Sequence, residues 1–168
     1  MDVRVRRESA ADHAAVYALN SAAFGQAVEA DIVGALREAK GVISLVAEVG
    51  GHIVGHILFS PVTLASHDSL AIAGLAPMAV LPDRQRQGVG SLLVRAGLEA
   101  CRRAGFGAVV VLGHAEYYPR FGFLTATDRG IDCEYDVPAE AFMLLELEPG
   151  YLAGASGTIH YHRAFETA

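Results

Sequence analysis

From the N-terminus, polar and apolar positions alternate over VRVRR (3–7), the period of a half-buried strand. Ser9 stands where an N-cap would, ahead of the Ala-rich AADHAAVYALNSAAF, and Asp12 in the first turn suits the positive end of a helix. QAVEADIVGALREAK sets Ile32, Val33 and Leu36 along one helical face and is predicted to stop at Gly41. The period then shortens. VISLVAEVGGHIVGHILFS holds two β-branched runs joined by Gly50-Gly51, which predicts a tight hairpin. Pro61 and the polar SHDS (66–69) predict an edge and a loop before the strand LAIAGLAPMAV. A helix is predicted over 89–104, with Val89, Leu93, Ala96 and Ala100 inward, Ser91, Arg95, Glu99 and Arg102 outward, and Gly105 closing it. AVVVLG (108–113) is continuously apolar, as expected of a strand buried on both faces. The aromatic HAEYYPRFGF follows, and FMLLELE and TIHYHRAF read as further strands and turns.

Composition narrows the class. With 52% hydrophobic and 19% charged residues in 168, the chain suits one globular domain over 1–168, without repeats, linkers or a run long enough to span a membrane. No apolar segment follows MDVRVRRES, so neither a signal peptide nor a lipid anchor is expected, and the expected location is cytoplasmic. Thirteen Lys and Arg against nineteen Asp and Glu give a charge of -6, the wrong sign for a surface built to hold nucleic acid. Cys101 and Cys133 lack metal or CxxC spacing and read as reduced structural thiols. His52, His56, His160 and His162 show no metal-ligand clustering, so no metal is expected.

Against this acidic background, PMAVLPDRQRQGVGSLLVRAGLEACRRAG (77–105) places an apolar strand, a basic glycine turn and a helix in succession. Such a turn leaves backbone N–H groups without intrahelical partners at the positive end of the helix dipole. Gly88 and Gly90 would let an anion reach the main chain, with Arg84 and Arg86 beside it. A dinucleotide fingerprint fails because its third glycine would fall at Leu93. A phosphate-binding P-loop fails because the sole lysine, Lys40, is remote. A lone GxG also fits a plain helix start with solvated arginines.

The wider pattern favours an anion site. Gln85-Arg86-Gln87-Gly88-Val89-Gly90, after APMAVLP and before SLLVRAGLEACRRAG, resembles the acetyl-CoA-binding motif Q/R-x-x-G-x-G/A of the GNAT (Gcn5-related) N-acetyltransferases. VVVLGHAEYYPRFGF resembles that superfamily's final block, and FMLLELEPG echoes its YhbS-like bacterial members. The two blocks cover about a third of the chain. The resemblance implies an α/β (α+β in some schemes) GNAT fold: a central mixed, mostly antiparallel sheet of about six to seven strands with a V-shaped splay, flanked by about four helices. It also implies acetyl-CoA as cosubstrate, its diphosphate on the amides of Arg86 to Ser91 and its pantetheine arm paired with Met78, Ala79 and Val80. Arg84 or Arg86 would meet a further phosphate or stay solvated.

Pro77 inside a strand points to an edge or a bulge; a family-type bulge would free the N–H of Met78 or Ala79 as an oxyanion contact. Tyr118 matches the family's tyrosine acid, with Tyr117 as a partial substitute or packing neighbour. His114 is the candidate base on proximity, with Glu116, Glu29 and ordered water as alternatives. Glu29 falls in the segment that borders the acceptor cleft and would attract a cationic amine. Cys101 has no base nearby in sequence, so direct attack of a small amine in a ternary complex is expected rather than an acyl-cysteine. A non-catalytic acyl-CoA-binding module of the same fold is the alternative. The acceptor's identity is open, and the chain is expected to be a monomer or a homodimer.

Overall fold

The structure is a computed structural model that describes residues 2–167. Its strands are β1 (Arg4–Arg7), β2 (Ile43–Val49), β3 (His52–Leu64), β4 (Ile72–Val80), β5 (Ala108–Leu112), β6 (Leu124–Thr125), β7 (Ile131–Cys133), β8 (Phe142–Glu146) and β9 (Gly157–His160). Three α-helices occur among the described residues, α1 (His13–Phe24), α2 (Val28–Leu36) and α3 (Val89–Arg103), where about four were expected; the other helical segments are short 3-10 turns. The main sheet runs β1-β2-β3-β4-β5-β8-β6, and β9 joins β7 to the far end of β3. Every pair is antiparallel except β4 with β5 and β7 with β9.

The hairpin forms as its glycines predict, with Gly50 at φ 57° and Gly51 at φ 82°, both in the left-handed region that a two-residue turn needs. Pro61 lies inside β3 rather than at its end. It sits past Phe59, where β2 has stopped, and before Thr63, where β9 begins, so the strand is an edge on that side at the proline. Helical bonding in α2 ends at Leu36, short of Gly41; that glycine, at φ 83°, instead turns the chain into β2 against Pro61. At the start of α1, Ser9 donates from its N–H and Oγ to Asp12 Oδ2 (2.7 and 3.0 Å), and the same carboxylate takes two bonds from Arg6 (2.7 and 3.0 Å). Arg6 therefore holds the Asp12 carboxyl well below the usual range.

The sheet is covered on both faces. On one, α3 packs through Val89, Leu93, Val94, Leu98 and Cys101 against Leu45, Ile57 and Phe59. Its buried stripe is rotated from the predicted one: Val94, Gly97, Leu98 and Cys101 are inside, while Ala96 and Ala100 are half-buried flanks. Gly97 is the reason, because a Cβ there would fall on the Phe59 ring and only a bare helix backbone fits so close to β3. On the opposite face, Val16 of α1 and Ile32, Val33 and Leu36 of α2 pack on Val46 and Leu58. Phe165, from the 3-10 turn Arg163–Thr167, joins this second group.

The pairing of β4 sets up the site. Ile57 lies opposite Met78 but Phe59 opposite Leu75, so β4 carries one extra residue at the cis Ala76–Pro77 step, the bulge expected of Pro77. Parallel pairing with β5 runs only from Ile72↔Ala108 to Leu75↔Val111. Beyond it β4 stays with β3 while β5 stays with β8, and the sheet opens.

Candidate active site

The opening is a cleft of about 940 Å³. Ala76, Pro77, Met78 and Val80 of β4 form one wall and Leu112, Gly113 and His114, at and beyond the end of β5, form the other. The side chain bank at the α3 end carries Arg84, Gln85, Arg86, Gly88, Gly90, Ser91, Tyr117, Tyr118 and Arg120, and the bank across from it carries Phe24, Glu29, Ile32 and Phe165.

Backbone direction along β4 decides which amides face the cleft. Leu81 N–H donates to Val54 O in β3 (2.9 Å). Alternation then turns Ala79 toward β3 as well, and Met78 and Val80 toward the open edge. The Val80 carbonyl does point away from β3, since it accepts from Gln85 Nε2 (3.0 Å). Gln87 Nε2 similarly bonds Asp83 O (3.2 Å), so both glutamines tie the basic turn into a fixed loop.

At the mouth of α3, Arg86 (φ 64°) and Gly88 (φ 87°) are left-handed, and no side chain among the described residues caps the helix. Its first amides are thus open to an anion, in a cradle that the positive helix end favours. A Cβ on Gly88 would meet nothing within 4 Å, whereas one on Gly90 would lie 3.1 Å from Tyr117 Oη and 3.7 Å from Met78 Cε. Tyr117 Oη also shares a hydrogen bond with Ser91 Oγ (3.1 Å). Arg120 stacks on the Tyr117 ring (4.4 Å to its centre) and donates to the Tyr117 carbonyl (2.8 Å), and Arg95 lies over Phe121 at 5.1 Å. These contacts clamp the turn Tyr118–Phe121 to α3.

Tyr118 is buried edge-on to Phe123 and Tyr117, with ring centres 5.7 and 5.1 Å away. Gly113 makes this possible, because a Cβ there would fall on the Tyr118 ring. Burial pushes the Tyr118 phenol up to about 12. His114 is exposed, and its carbonyl accepts from the amides of Tyr117 and Tyr118 (3.0 and 3.4 Å). Glu29, half-buried at the start of α2, accepts from Gln26 Nε2 at 3.1 and 3.3 Å.

Of the residues singled out from sequence, Tyr118, His114, Glu29, Met78, Val80, Gln85, Arg86, Gly88, Gly90 and Ser91 line one cleft. Ala79, Gln87 and Val89 do not line it; Ala79 and Val89 have buried side chains. Glu116 is exposed and also outside the lining. Sequence reasoning missed Phe24, Phe165, Gly113 and Arg120. Gly113 had a readable signal, a small residue between a buried strand and the aromatic block; Phe165 had none. Cys101 is buried, and burial pushes its thiol up to about 12, which removes it as a nucleophile. Among the described residues no group of three or more His, Cys, Asp or Glu is arranged for a metal, and no helix is long and apolar enough to cross a membrane.

Comparison with known proteins agrees with this geometry. Residues 13–123 match the model of the acetyltransferase (GNAT) family. The chain is 46% identical over 123 residues to the uncharacterized N-acetyltransferase YjhQ of Escherichia coli K12, covering 70% of this chain and 68% of that one. It is 34% identical to the uncharacterized N-acetyltransferase YhbS of the same strain over 96% of this chain and 97% of the relative. The crystal structure of E. coli YhbS in complex with CoA superposes with a TM-score of 0.92 over 98% of this chain and 92% of that one, at 34% identity. A GNAT acetyltransferase from Brucella melitensis in complex with acetyl-CoA, 36% identical, superposes with a TM-score of 0.81 over 98% of both chains. Fold, family match and relatives together make this chain a member of the GNAT acetyltransferase family, and an acyltransferase.

Proposed function

We propose that the protein transfers the acetyl group of acetyl-CoA to the primary amine of a small acceptor, by direct attack within a ternary complex. One observation carries the reading: the parting of β4 from β5 leads straight onto the open amides of α3, with Tyr118 beside the gap. The diphosphate is held by the amides from Arg86 to Ser91, with Arg84 and Arg86 alongside. The pantetheine amides bond the outward groups of Met78 and Val80 as an added strand would.

The Met78 N–H, directed to the open edge, polarises the thioester carbonyl. An acceptor amine near pKa 10.4 arrives as ammonium and must lose a proton before attack; His114 at the cleft mouth takes it and returns it to water. The neutral nitrogen bonds to the carbonyl carbon, the carbon–sulfur bond breaks, and the sulfur receives a proton from Tyr118, which recovers one from water as the amide nitrogen sheds its second. The overall products are an amide, free CoA thiol and one released proton. Complete transfer from a phenol at about 12 to a thiolate near 8.5 is uphill by roughly 5 kcal/mol. The sulfur leaves into the same water-poor pocket, which raises its own proton affinity and narrows that gap. A cytoplasmic setting suits two unbridged cysteines.

Calorimetry with CoA and thiol release from acetyl-CoA over a panel of amines test this reading. CoA should bind, some amine should accelerate release, and Tyr118→Phe should lower kcat by about 10²–10⁴-fold with CoA affinity kept. CoA binding without turnover of any amine, or Tyr118→Phe at full rate, would overturn it.

A further inference from the structure

The bank of the cleft across from α3 is chemically unlike the one that carries the arginines. Phe24 ends α1 and is 40% exposed, an apolar ring left facing the opening. Ile32 comes from α2, and Phe165 is brought to it by the C-terminal turn that packs on that helix. Glu29 stands among these apolar groups and is the one carboxylate in the cleft lining among the described residues. Gln26 fixes its orientation from one side. The arginines of the lining, Arg84, Arg86 and Arg120, all lie on the α3 side.

We infer that the acceptor is a monocationic amine carried on an apolar, preferably aromatic body, with Phe24, Ile32 and Phe165 holding the body and Glu29 the ammonium. This specificity rests on the acetyl-transfer reading above. A polyamine would bring second and third charges to a bank with a single carboxylate and three apolar side chains, where they would lose water without gaining a partner. An amino sugar would bury hydroxyls against the same rings, and an acceptor with a carboxylate of its own would be repelled by Glu29. An aryl or long alkyl group instead covers the exposed face of Phe24.

Thiol release at saturating acetyl-CoA, with 2-phenylethylamine, ethylamine, spermidine and glucosamine as acceptors, tests the inference on the full chain. The value of kcat/KM should be at least about ten-fold higher for 2-phenylethylamine than for the other three. Phe24→Ala, at an exposed position where folding is not at stake, should raise the KM for 2-phenylethylamine by about ten-fold while CoA affinity by calorimetry stays the same. Glu29→Gln should raise the KM for every amine. A preference for spermidine or glucosamine, or a Phe24→Ala enzyme with unchanged KM, overturns the inference and leaves acetyl transfer standing. Absence of CoA binding together with absence of turnover defeats the underlying reading, and this specificity with it.

Discussion

Tyr118 shows how one residue's surroundings set its chemistry. Only 6% exposed, with its phenol pushed up to about 12, it stays protonated through the neutral range where a leaving thiolate needs a donor. With Tyr118 as the proposed acid, the rate profile should show no alkaline loss assignable to it below about pH 11, whereas an ordinary tyrosine would titrate near 10; kcat against pH checks this. His56 is the opposite case, fully buried and pulled down to about 4 by desolvation. Ser44 Oγ gives its proton to Glu8 (2.7 Å), so it accepts from His56 Nε2 (2.8 Å), and His56 Nδ1 accepts from Asn20 Nδ2 (3.3 Å). Protonating Nδ1 would set donor against donor. Because the folded value is below the unfolded 6.5, this stability is present above pH 6.5 and is lost as pH falls toward 4, by roughly 3 kcal/mol. Urea titrations across that window should show the loss, and His56→Gln should flatten it. The place of Tyr118 in the cleft was legible because the residue sits inside a recognisable block. The polar chain through His56 was not, since Glu8, Asn20, Ser44 and His56 come from separate elements that only folding brings together.

Contact between elements is governed by a few missing side chains. Where α3 crosses β3, Gly97 leaves room for the Phe59 ring, and both are buried. Gly97→Ala should destabilise the protein by about 1–3 kcal/mol through overpacking, despite alanine's better helix propensity. Chemical denaturation measures it, and Phe59→Leu on the Gly97→Ala background should recover part of the loss. The helix itself was readable from its apolar spacing, but its buried stripe came out rotated because the inward position is a glycine, which carries no hydrophobic signal. The missing N–H of Pro77 pointed to an edge or a bulge, and the family resemblance selected the bulge that the register of β3 with β4 shows. The two- and three-residue strands β6 and β7 were not, being too short to show a period and fixed by partners far along the chain.

At the scale of the whole molecule, the order and spacing of the two motif blocks identified the family, while the -6 charge set only an expectation, that an anion would be met locally rather than by a basic face. The path of the final third was beyond reach: β8 inserts between β5 and β6, β9 returns to β3, and Phe165 then arrives beside α2. None of those meetings is written in local periodicity, yet they complete the cleft wall to which we assign acceptor choice. The early end of the β4–β5 ladder has a mechanical corollary. Past Leu75 and Val111 the sheet lacks a rung, and its two portions are joined across the centre by only four residue pairs. A slender amide-bearing arm lodged there would act as a splint. Amide exchange at Met78 and Val80, whose N–H groups face the opening, should slow on adding CoA, and the two portions should then resist unfolding as a single cooperative body.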